Sequence, residues 1–286
     1  MPRVAIIANC QMRPMAALCE AIGEAVSVTG GFVVHLAKRE DEAAVEAACA
    51  KADLVFSQLV LESFPLPFLR SDRLRAAHGE KVIVWPNLFF RGQCPDLFYA
   101  TGTDRLRLTG PLTEYHLASV LEAWRAGDGV DRTVARLSAG DFDIAVDAAR
   151  ISLDQLRQRE TACDVRASDI IEAAWREEHL FFTFNHPRSR LLDTVAHRLL
   201  AQAGVAATGR PASGFSEPLG RIRPPLTPGM CRRFGLEFTD SQAEIRGVPY
   251  PGGDGPPITY ELPALVAAFF RAYDGQAELA RTARLS

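Results

Sequence analysis

Apolar runs that alternate with amphipathic stretches organise the first third of the chain. Val4 to Ala8 is a short apolar run with the length and β-branched content of a buried strand. Met15, Leu18, Ile22 and Val26 then recur at helical spacing, with Cys19 beside Leu18. Pro14 falls in the first turn of that helix, where no backbone donor is needed. The rhythm continues with a second strand over residues 31–37, a helix over 41–50 and a third strand over 53–57 that ends at Gln58. A helix within 66–78 and a fourth strand over 81–85 complete it. Strands alternating with helices predict an α/β fold, a parallel sheet with flanking helices. Right-handed crossovers place all the strand ends on one edge.

From residue 112 to 175 the period becomes helical. Leu117, Val120, Leu121 and Trp124 form one apolar stripe, and further helices are expected over 130–137, 142–159 and 167–178. Residues 180–184 read as the last central strand. They lead into Asn185-His186-Pro187-Arg188-Ser189-Arg190 and a helix carrying Leu191, Leu192, Val195, Leu199 and Leu200. Beyond Gly204 the chain is rich in Pro and Gly, with helices expected only near 227–234 and 262–273. The expected division is an α/β sheet domain over 1–110, a helical subdomain over 111–178, a returning strand and helix over 179–204, and an irregular C-terminal region with a final helix over 205–286. No Gly-, Ser- or Pro-rich linker separates the sheet from the helical region, so a single globular unit is expected.

Composition narrows the function classes. Of 286 residues, 48% are hydrophobic and 23% charged, which is ordinary for a globular protein. A net charge of -3 and a pI near 6.1 argue against a nucleic-acid partner. The six cysteines show no CxxC or other paired spacing, so neither a metal site nor a redox pair is expected, and the pattern suits a reducing cytoplasm. The first apolar run is too short for a signal peptide, and no stretch has the roughly 20 apolar residues of a membrane span. There is no GxGxxG, no GxxxxGK[ST] and no GxSxG. The cluster over 252–257 reads as a turn-rich loop rather than a phosphate cradle.

The candidate chemistry sits at the strand ends. Asn9-Cys10-Gln11 follows the first strand, Gln58 ends the third, and Asn87 follows the fourth. Ligands of open α/β sheets bind in the crevice outside such ends. A thiol at a helix start feels the positive end of the dipole, which favours the thiolate, although most free cysteines are small buried residues. A cysteine nucleophile needs a base. His186 stands at another strand end, and His116, just inside an expected helix, is its rival. Backbone N–H groups with the Gln58 or Asn87 amides could stabilise an oxyanion. Arg188, Ser189 and Arg190 open a helix directly after a strand, a layout suited to an anion, with Arg13 and Arg91 on strand-end loops able to add to it.

Taken in order, Ile6-Ile7-Ala8-Asn9-Cys10-Gln11, Gln58, Pro86-Asn87 with Gly92-Gln93-Cys94-Pro95-Asp96, Tyr115-His116, Arg159-Glu160 with Cys163-Asp164-Val165, and Phe182-Thr183-Phe184-Asn185-His186-Pro187 resemble the WcbI-type polysaccharide biosynthesis family. The resemblance covers residues 3 to about 200. Where that family usually has Gly-Asn-Cys-Gln, this chain has Ala8. The resemblance implies a coenzyme A-dependent acetyltransferase acting on a sugar or polysaccharide hydroxyl in capsule biosynthesis. It places Cys10 at the reacting centre, with His186 or His116 as base and Asn87 beside it. Coenzyme A, as acetyl-CoA, would lie along the strand-end cleft near Asn9, Gln11, Arg13, Gln58, Arg91, Gly92, Arg188, Ser189 and Arg190. Transfer could pass through an acylated Cys10 or go directly to the hydroxyl. Two other classes stay open: a sulfotransferase using a 3′-phosphoadenosine donor, from the Pro187-Arg188-Ser189 helix start, and an SGNH-like esterase with a cysteine nucleophile.

Overall fold

β1 (Arg3–Ala8) carries five consecutive fully buried residues, Val4 to Ala8, as expected of a strand covered on both faces. In the computed structural model it is followed by α1 (Met12–Ile22), β2 (Ser27–Val33), α2 (Glu42–Lys51), β3 (Leu54–Gln58), α3 (Ser71–His78) and β4 (Val82–Trp85). All pairings among β1 to β4 are parallel, in the order β2-β1-β3-β4. The structure describes residues 1–143, 147–207, 217–238, 244–251 and 255–286; residues 252–254 of the expected turn-rich loop lie outside them.

Alternation along the strands sends Ala5, Ile7, Val55, Val82 and Val84 to one face. There they pack with Val45 and Cys49 of α2 and Leu74 of α3. Ile6, Phe56 and Ile83 therefore point to the other face, and α1 and α8 (Ser189–Gln202) pack on each other through their own apolar stripes. The α/β fold with a parallel sheet and flanking helices is thus what the periodicity predicts. β2 is a correction: it begins at Ser27, not residue 31. Its parallel register with β1, from Arg3 beside Ser27 to Ala8 beside Val33, outweighs the weak strand propensity of Gly30 and Gly31.

Two compact units are present, each built from three pieces of chain: Met1–Phe89, Leu153–Glu172 and His186–Leu219 in the first, and Phe90–Ser152, Ala173–Asn185 and Gly220–Ser286 in the second. The second contains β5 (Leu97–Thr101), β6 (Tyr115–Leu117), α4 (Ala118–Arg125) and α5 (Val130–Ala139). Two expectations are corrected here. Tyr115, His116 and Leu117 form a strand antiparallel to Leu97–Tyr99, so the helical stripe starts only at Ala118. The strand Phe181–Thr183 belongs to this unit and is not a member of the four-stranded sheet. Gln93 is one of the organisers of the second unit. Its buried amide donates to the carbonyls of Trp175 and Glu178 and accepts the N–H groups of Leu180 and Phe181.

α6 (Ala148–Glu160) ends in the first unit and is followed, before α7 (Ser168–Ala174), by a segment that closes one border of the sheet. The N–H of Asp164 donates to the Val84 carbonyl at 2.8 Å, and the Asp164 carboxylate accepts the Val84 N–H and the Arg75 guanidinium, each at 2.7 Å. Asp164→Ala leaves the Val84 donor without its acceptor. We expect it to cost about 1–3 kcal/mol in urea denaturation, with Asp164→Asn intermediate because its carbonyl oxygen still accepts.

Candidate active site

The strand order reverses between β1 and β3, and the polar groups gather at that reversal. The Asn9 N–H donates to Gln58 Oε1 at 3.0 Å, Gln58 Nε2 to Gln11 Oε1 at 3.0 Å, and Gln11 Nε2 to the Leu88 carbonyl at 3.1 Å. Asn9 Nδ2 donates to Asn87 Oδ1 at 3.1 Å, so three adjacent strand ends are tied together by amides. Gln11 and Gln58 are buried, and a buried amide is tolerable only when its partners are present. Asn9 Oδ1 also accepts the Gln11 N–H at 2.9 Å, closing the turn that starts α1. The sequence-predicted residues Asn9, Cys10, Gln11, Gln58 and Asn87 are therefore brought together.

Cys10 sits half-buried in this loop, its thiol donating to Asn9 Oδ1 at a long 3.8 Å. Burial pushes the thiol up to about 11, against the downward pull of the Cys10 and Gln11 backbone N–H groups. Desolvation thus outweighs the helix start, whose positive end favours the thiolate.

The two histidines differ. His116 lies buried on β6, with Nδ1 3.1 Å from the Tyr273 hydroxyl and Nε2 3.0 Å from the Leu108 carbonyl. Both ring nitrogens are engaged in the second unit's core, which corrects the expectation of a base. His186 belongs to the first unit and is half-buried. Burial lowers its pKa to about 4, so its imidazole is neutral at pH 7.

The expected anion site at the start of α8 already holds an anion. The Glu217 carboxylate accepts Arg188 Nε at 3.2 Å and the Ser189 N–H at 2.8 Å. Arg188 and Ser189, expected as ligand contacts, are here partners of Glu217, whose charge suits the helix dipole. Arg190 and Arg13 are exposed on their helices. Arg91 and Gly92 belong to the second unit. The Arg91 guanidinium lies 3.6 Å from the Phe98 ring centroid and donates to the Leu97 carbonyl. A Cβ on Gly92 would run into the Phe90 ring and Ala149, so packing within its own unit accounts for that glycine.

One residue near the loop escaped the sequence reading. Arg159, in the last turn of α6, extends Nη2 to the Asn87 carbonyl at 3.4 Å. Its only signal in the sequence is membership of the Arg159-Glu160 pair. No group of three or more His, Cys, Asp or Glu among the described residues could hold a metal ion, and no helix among them is long and apolar enough to cross a membrane.

A family model described as the polysaccharide biosynthesis enzyme WcbI matches residues 3–208. No curated protein matches the chain. A solved structure described as WcbI, a novel polysaccharide biosynthesis enzyme, in its native form without a disulfide bond between coenzyme A and a cysteine, superposes with a TM-score of 0.67. It shares 20% identity and covers 98% of this chain and 97% of that one, a likeness of fold.

The raised pKa has a direct consequence. With the thiolate scarce at neutral pH, iodoacetamide should alkylate Cys10 about 100-fold more slowly at pH 7 than an ordinary cysteine. Its rate should climb with pH until about 11, read by mass spectrometry of the Cys10 peptide. A rate levelling off below pH 8 would show a stabilised thiolate instead.

Proposed function

The chain belongs to the WcbI family of polysaccharide biosynthesis enzymes, and we propose that within it this protein is an acyltransferase that moves an acetyl group from coenzyme A to a sugar hydroxyl. The observation that carries this reading is the amide-lined loop at the sheet's reversal point, with Cys10 in it and N–H donors at a helix start around it. A backbone N–H such as that of Cys10, beside the sulfur, can stabilise a thioester carbonyl as charge develops on its oxygen. Bound acetyl-CoA would supply the activated acyl thioester. The six free cysteines suit a cytoplasmic setting.

Of the two routes, the protonated thiol favours direct transfer. A covalent route gains its advantage from a preformed thiolate, which a thiol protonated up to about 11 does not supply. In direct transfer His186 accepts the hydroxyl proton as the oxygen–carbonyl bond forms. As the carbon–sulfur bond breaks, the imidazolium returns that proton to the departing sulfur. Cys10 then shapes the floor of the site. The sulfotransferase alternative loses its main support, because Glu217 fills the helix start that suggested it. The esterase alternative has no observation that favours it over transfer.

Three measurements test the reading. Coenzyme A should raise the melting temperature of the protein, with adenosine 3′,5′-bisphosphate weaker; equal stabilisation would revive the sulfotransferase. With acetyl-CoA and a panel of sugars, His186→Gln should lower kcat by about 10²–10⁴-fold, whereas Cys10→Ser should retain most turnover; loss of turnover in Cys10→Ser would restore the covalent route. Because a base must be unprotonated and His186 protonates only near 4, kcat/KM should stay level as the pH falls from 7 to about 5.

A further inference from the structure

Around the Cys10 loop, the hydrogen-bonding groups just described are neutral amides and peptide groups, and the cation that reaches them is Arg159. Its surroundings leave it without an ion-pair partner among the described residues. The neighbouring Glu160 carboxylate is consumed by the N–H groups of Ala167 and Ser168, at 2.6 and 2.8 Å, and by the Ser168 hydroxyl. Asp164 is likewise committed to Val84 and Arg75. Among the described residues Arg159 forms no ion pair. Its Nε is buried with no hydrogen-bond partner, and its one hydrogen bond is the long contact to the Asn87 carbonyl.

A cation in the last turn of a helix often serves the helix carbonyls. Here the guanidinium is directed to a carbonyl of the loop after β4, while the Arg159 carbonyl takes the Ala162 N–H and the Cys163 thiol. A guanidinium presents five donors in a planar fork that matches an oxyanion. Leaving the Nε donor desolvated and unpaired is costly, and a bound anion removes the cost. Position agrees with this: Asn87, which Arg159 touches, is hydrogen-bonded to Asn9, the residue before Cys10.

We propose that Arg159 is an oxyanion-binding residue of the Cys10 site, holding a phosphoryl or carboxylate group of a substrate. This rests on the acyltransferase reading only for the choice of probes. The phosphoryl source would be the acyl donor, and the carboxylate source an acidic sugar acceptor.

Isothermal titration calorimetry on the full chain separates these sources. Two pairs serve as probes: coenzyme A against pantetheine, which has the thiol arm without the phosphates and adenosine, and glucuronate against glucose. The wild type should prefer the anionic member of at least one pair. Arg159→Gln should weaken that member by about tenfold or more and leave the neutral member unchanged, with Arg159→Lys in between. A loss confined to coenzyme A assigns the phosphoryl source; one confined to glucuronate assigns the carboxylate. Equal binding of the anionic probes by Arg159→Gln, an equal loss for the neutral probes, or no anionic preference in the wild type would each overturn the proposal. Should Arg159→Gln fail to fold by circular dichroism, Arg159→Lys carries the test, with a threefold loss confined to the anionic probe expected and none overturning it. Failure of coenzyme A to bind the wild type would overturn the acyl-donor reading, and the glucuronate pair alone then decides Arg159.

Discussion

A closed chain of amides at the carboxyl ends of β1, β3 and β4 is the constraint on which the rest of the first unit depends. Gln58 accepts from Asn9 and donates to Gln11, Gln11 donates to Leu88, and Asn9 reaches Asn87. Each amide is oriented by its neighbour, so moving any one strand end leaves a buried polar group without its partner, at about 1–3 kcal/mol. Two apolar faces hold the sheet together, but either would tolerate small slides of its loops. The amides do not, and they fix the turn carrying Cys10 before any ligand arrives.

Electrostatics in this protein follow burial more closely than they follow the helix dipole. Both the Cys10 thiol and the His186 imidazole are driven toward their neutral forms by desolvation. At the start of α8, where the dipole does find an anion, the anion is the chain's own Glu217. Among the described residues Arg159 forms no ion pair, and it lies at the edge of an otherwise neutral loop. A neutral loop beside a cation suits a ligand that brings the negative charge.

The sheet was largely legible from the chain because Val4 to Ala8, the run to Gln58 and the run to Trp85 are apolar stretches of strand length bounded by helical periodicity. β2 was not, because Gly30 and Gly31 carry no strand signal and only the register with β1 sets its start. β6 escaped because Leu117 is both the last residue of a three-residue strand and in phase with the helix that follows. The convergence of Asn9, Gln58 and Asn87 could be read from strand ends alone. The ionisation of Cys10 could not, since it depends on what covers the sulfur. Glu217 is far from Arg188 in sequence, and Arg159 acquires meaning only when its neighbours' carboxylates are seen to be engaged elsewhere.

The segment that carries Asp164 has a consequence for how the molecule meets its own copies. An unpaired strand at a sheet border is a template on which another chain can add. At the middle of β4 both outward peptide groups of Val84 are already taken, its N–H by the Asp164 side chain and its carbonyl by the Asp164 and Val165 N–H groups. Continuation of the sheet is thereby blocked on that side, and β2 is left as the border at which strand addition between molecules could begin.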